Sequence, residues 1–166
     1  MSVILIANVG NHDVMLSRTE ALPEDLKPAW VPARRLGNEI IANFERYAEY
    51  IEMPLIGVCV RWLVEHEGVE PDELYVHLFA SDQPQPPITP EGEWLKDSRP
   101  FAEVVRRCLL EGALTWTPPS GTPRPLRLAG KRVFIHTLPG NPADYRNMHD
   151  ALSSKLGHLA QQVGGN

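Results

Sequence analysis

Three short apolar runs constrain this chain more than anything else in it. They are SVILIANV (residues 2–9), DELYVHLFASDQ (72–83) and RVFIHTL (132–138). Each is rich in β-branched and aromatic residues, too short for a helix, and read as a strand. The first is apolar on both faces, as a buried parallel strand would be. Between the runs, apolar residues recur at helical spacing. Leu36, Ile40, Ile41, Phe44, Ala48 and Ile51 predict a helix over 34–51. Pro54 suits the start of a second helix, whose buried stripe is read as Leu55, Ile56, Cys59, Trp62 and Leu63, with Gly68 ending it. Phe101, Val104, Val105, Cys108 and Leu109 predict a third, entered through Asp97-Ser98-Arg99-Pro100. Tyr145, Met148, Leu152, Leu156, Leu159 and Val163 predict a long last helix, stopped by Gly164 and Gly165. Strands alternating with helices make βαβ units. The expected fold class is therefore α/β: Rossmann-like, with a mainly parallel sheet flanked by helices.

The chain has 166 residues, which suits a single domain over 1–166. Three strands make a thin sheet for that length. Two options stay open. Either the chain is the N-terminal part of something longer, its sheet incomplete at the C-terminal end, or the Pro-rich segment around Trp116 holds further strands, for instance a short hairpin. The net charge of −5 argues against a grip on duplex nucleic acid through its phosphates. A small anion held by backbone N–H groups remains compatible with it. No apolar run reaches the ~18 residues of a membrane span, and the start MSVILIANVG has no basic n-region or cleavage site. The expectation is a cytoplasmic protein with no membrane partner. Cys59 and Cys108 sit in apolar helical patterns and are read as two buried, reduced thiols. No Cys/His cluster has zinc spacing. Neither a GxGxxG fingerprint nor a Walker motif is present, so no metal and no cofactor are expected.

In an open parallel sheet, ligands bind beyond the carboxyl ends of the strands. Here all three ends carry small polar residues. Asn8, Val9, Gly10, Asn11, His12 and Asp13 follow the first strand, and Ser81, Asp82 and Gln83 end the second. Gly140, Asn141 and Pro142 follow the third. Gly10 permits close backbone approach or a positive φ. Asn141, Pro142 and Asp144 also make an ordinary helix start, as N-cap, first helical residue and dipole partner. His12 and Asp13 are an acid and a base, but neighbours on extended chain point apart. Arg34 and Arg35 open a helix and could reach toward phosphates.

These three stretches together resemble the CARF domain, the CRISPR-associated Rossmann-like fold of type III CRISPR ancillary proteins. The matching segments are ILIANVGNHDV, LYVHLFASDQ and LPGNPADYRNMHDAL. They resemble the family's G-[TN]-x-D turn, [TS]-D-Q strand end and N-P-x-D-[YM] helix start. The resemblance implies a sensor of a cyclic oligoadenylate second messenger that controls an effector in antiviral defence. The loop from Asn8 to Asp13 would lie against the nucleotide ring, with Ser81, Asp82 and Gln83 beside it. It also implies a homodimer with the ligand across the two-fold axis, and an effector domain or C-terminal region as partner. The family usually continues with a strand and a TGGTP-type turn, whereas this chain stops at QQVGGN. Two alternatives remain. One is a metal-independent ring nuclease, with His12, Arg34 and Arg35 as first candidates and no catalytic residue assigned. The other is an α/β dimerisation module with no nucleotide ligand.

Overall fold

A computed structural model describes residues 2–10, 13–16, 33–82, 88–89, 92–93, 98–139 and 145–164. Its frame is a three-stranded parallel sheet made of β1 (Val3–Val9), β4 (Leu74–Asp82) and β9 (Val133–Pro139). The order is β1-β4-β9, so the second run of the sequence lies in the middle. Val3 sits opposite Leu74 and Val9 opposite Ala80, while Val76 sits opposite Val133 and Asp82 opposite Pro139. Parallel strands need long crossovers. The first contains β2 (Met15–Leu16), α1 (Ala33–Ala42), α2 (Phe44–Tyr47), β3 (Ile51–Glu52) and α3 (Ile56–Glu65). The second contains the small ladder β5 (Ile88–Thr89) with β6 (Gly92–Glu93), then α4 (Arg99–Glu111), β7 (Leu114–Trp116) and β8 (Arg124–Leu126). Helix α5 (Tyr145–Gly164) follows β9 and packs against it.

The core lies on one face of the sheet. Leu74, Val76, Leu78 and Ala80 alternate along β4 and are all buried against Phe101, Val104, Val105 and Cys108 of α4. Helix α1 packs on α4 in turn. Gly37 allows that approach, because a Cβ there would lie 2.8 Å from the Cβ of Pro100. Arg107 ties the two together from outside: its guanidinium stacks 4.5 Å from the Phe44 ring and donates to the Ile41 carbonyl at 3.0 Å. Helix α4 ends at Gly112, whose φ of 82° is left-handed. A Cβ at that point would be 2.7 Å from Nε of Arg127 and 2.9 Å from Cβ of Pro125.

Four expectations are corrected. The helix over 34–51 is broken at Asn43, whose amide donates to the Glu39 carboxylate at 2.8 Å and competes with the helical backbone. The chain then passes through α2 and a 3₁₀ turn, and Ile51 pairs with Leu16 in an antiparallel ladder. Second, β1 is an edge strand rather than a buried one, with Ile6 46% exposed. Third, α3 buries Ile56, Val60 and Val64, leaving Leu55 and Trp62 in solvent. Fourth, Cys59 is exposed on that outer side and only Cys108 is buried. The Pro-rich segment around Trp116 does form a hairpin, β7 with β8, separate from the main sheet.

Candidate functional site at the carboxyl edge of the sheet

The three strands run in one direction, so their carboxyl ends share one edge. Asn8 and Gly10 are exposed there, next to the end of β4. Val9 is buried, and its side chain packs into the core. Asp13 is also buried, and its role is structural. Its carboxylate accepts the Gly10 N–H at 2.6 Å, and its own N–H donates back to the Gly10 carbonyl at 3.2 Å. This reciprocal clasp closes the loop and presents Gly10 outward. Gly10 is not among the glycines with positive φ, so the turn itself does not require it. A Cβ at Gly10 would meet only Oδ2 of Asp13, at an ordinary 3.5 Å. The fold tolerates a side chain there, and what the glycine leaves open is the approach of something from outside.

Ser81 is buried and spends its polar groups on Ser98, at the start of α4. The Ser81 N–H donates to Oγ of Ser98 at 3.0 Å, and the Ser98 N–H donates to the Ser81 carbonyl at 3.1 Å. The two hydroxyls lie 3.3 Å apart. The end of β4 is thereby bolted to the first turn of α4. Asp82 closes β4, paired in register with Pro139. Asn11, His12, Gln83, Gly140, Asn141, Pro142 and Asp144 lie outside the described residues. Arg34 and Arg35 fall in the first turn of α1.

A histidine pair that periodicity did not reveal sits on the face of the sheet opposite the core. Register places His77 beside Phe134 and Phe79 beside His136. Nδ1 of His77 and Nε2 of His136 lie 2.8 Å apart, and the rings stack with Phe134 and Phe79. One ring must donate and the other accept, so the contact holds a single proton. Burial, then the repulsion of His136, lowers the pKa of His77. Burial, then the nearby Lys155, lowers that of His136. These rings stand five and three residues short of the strand ends. At ~3.3 Å per residue, that is on the order of 10–16 Å back from the edge. They stiffen the sheet below the site rather than line it.

A cleft of about 530 Å³ opens elsewhere, lined by Phe44, Glu45, Glu49, Glu111 and Thr115. It lies by the C-terminal end of α4. Ser98 fixes the other end of that helix at the sheet edge, and 13 residues of helix span about 20 Å. The cleft and the edge are therefore separate places.

Among the described residues, no group of three or more His, Cys, Asp or Glu is placed to hold a metal ion. No described helix is long and apolar enough to cross a membrane. No family model, curated protein or solved structure matches this chain.

Proposed function

We propose that this domain is a sensor that binds a cyclic oligoadenylate of type III CRISPR antiviral defence at the carboxyl edge of its sheet, and so controls an effector. The observation that carries the reading is the open Gly10 loop beside the end of β4. Asp13 holds the loop in place, yet the fold does not need its glycine. An exposed glycine at a parallel-sheet edge lets the ribose or base of a ligand approach the backbone closely. The CARF-like stretches at all three strand ends add the chemical class.

Titration calorimetry of the chain with cyclic tri-, tetra- and hexa-adenylate tests this. One ring should bind, and Gly10→Val should weaken it at least tenfold, about 1.4 kcal/mol, with no loss of melting temperature. No heat from any of the three rings overturns the reading. Incubation of labelled ligand with protein and chelator distinguishes a pure sensor from a ring nuclease, which would linearise the ring.

A further inference from the structure

Positive charge is unevenly spread along this chain. Residues 112–143 hold Arg124, Arg127, Lys131 and Arg132 and no acidic residue, so all 21 Asp and Glu of a chain of net charge −5 lie elsewhere. The four cations run from β8 to the residue before β9. Arg124, Arg127 and Lys131 are exposed. Among the described residues, no carboxylate pairs with any of the four. The carboxylates of neighbouring helices are spent on other groups: Glu65 accepts the Thr117 N–H at 2.7 Å, and Glu111 pairs with Arg107 at 2.6 Å. Rings hold two of the guanidinium groups instead. Arg124 lies 5.0 Å from the centre of the Trp116 ring, and Arg132 lies 4.7 Å from that of Tyr75. A ring face attracts a guanidinium but takes none of its N–H donors, which keep the fork that fits an oxyanion. Nη1 of Arg132 is buried with no hydrogen-bond partner, the one such side-chain atom among the described residues.

We propose that the segment from Arg124 to Arg132 is a docking surface for an extended protein segment rich in Asp and Glu. The backbone under the cations is fixed. Leu126 and Leu128 are buried between them, the Leu128 N–H donates to the Leu109 carbonyl at 2.8 Å, and the Arg132 N–H donates to the Ala129 carbonyl at 2.9 Å. Cations on an ordered segment have less freedom to lose when a partner binds. The rings decide against a single-stranded nucleic acid, which needs open aromatic faces for its bases. Trp116 is 3% exposed, and the guanidinium groups of Arg124 and Arg132 already stack on its ring and on that of Tyr75. A duplex needs many more phosphate contacts than four cations in an acidic chain can make. Carboxylates need only the forks. This surface precedes β9, whereas the Gly10 loop lies beyond the carboxyl edge of the sheet. The seven residues of β9 set the two on the order of 20 Å apart. Docking here therefore stands whether or not a nucleotide binds.

Fluorescence anisotropy of the whole chain with a labelled peptide of alternating Glu and Asp, about 12 residues long, tests the proposal. The peptide should bind at about 50 mM salt and weaken roughly tenfold at about 300 mM, as screened charge pairs do. Lys131→Glu should weaken it about threefold, and Arg124→Glu combined with Lys131→Glu about tenfold, with the circular dichroism spectrum unchanged. Arg61→Glu makes the same change of charge on α3 and should weaken it less than about twofold. No binding at the lower salt overturns the proposal, as does an equal loss in Arg61→Glu and Lys131→Glu. An oligouridylate of about 12 nucleotides that binds more tightly than the peptide overturns the assignment to a protein partner.

Discussion

Helices α3 and α4 each hold one cysteine among apolar residues, yet water treats them differently. On α4 the apolar residues form one stripe, from Phe101 to Leu109, all of it buried, and the outer side carries Glu103, Arg106, Arg107 and Glu111. On α3 the only charged residues from Ile56 to Glu65 are Arg61 and Glu65, and apolar side chains surround the helix. The core takes three of them. Cys108 is sealed, its thiol pushed up to about 12 by burial and then by Glu111, while Cys59 lies open. The difference shows that a helix reveals its buried face through its polar face. Where the polar face is missing, the pattern says that the helix is apolar but not which side meets the core.

Mutation offers the hardest test of the contrast. Phe101→Ala on α4 should cost about 3–5 kcal/mol in urea unfolding. Labelling of Cys108 by a thiol reagent should speed up by over a hundredfold, since each 1.4 kcal/mol is tenfold in an opening equilibrium. Trp62→Ala, on the outer side of α3, should stay within about 0.5 kcal/mol. Equal costs for the two would erase the distinction. A smaller effect is expected at the start of α4. Ser98→Ala leaves the buried N–H of Ser81 without its acceptor and should cost about 1–3 kcal/mol, read by the same unfolding curves. A cost near zero would mean that the sheet edge is not held through this pair.

Acid sharpens the comparison from the other side of the sheet. Both His77 and His136 take up a proton less readily in the fold than in the unfolded chain. Their contribution to stability is therefore complete above the ordinary value of 6.5, and is lost as pH falls below it toward the lowered folded values. Unfolding midpoints measured between about pH 8 and 5.5 should show that decline, and His136→Phe should flatten it. A decline that persists unchanged in His136→Phe would assign it to other groups. Trp62 and Cys59 should report nothing of it.

Much of the frame was legible in the residues themselves. Apolar runs at 2–9, 72–83 and 132–138 found the sheet, within two residues of its strands, and Asp97-Ser98-Arg99-Pro100 found the start of α4. The edge position of β1 was not legible, because Ile4, Ile6 and Leu5 are alike and nothing in them tells a covered face from an open one. The buried side of α3 failed for the same reason. The site was half legible. Polar strand ends pointed to the edge, but the duties of Asp13 and Ser81 depend on partners. Asp13 is held by a turn, and Ser81 by a residue 17 positions on. The histidine pair spans 59 positions. Contacts of that range are set by strand register, which no local pattern records.

Gly112 gives the fold a place where substitution has almost no freedom. Its left-handed φ disfavours every side chain, and the atoms of Arg127 and Pro125 occupy the space a side chain would need. Gly121 has a similar φ of 81° but open space around it. A saturation library scored for folded protein should thus accept asparagine at 121 and return glycine alone at 112. That single position records, in the tolerance of the chain to change, how tightly the end of α4 is folded back against the β7–β8 hairpin.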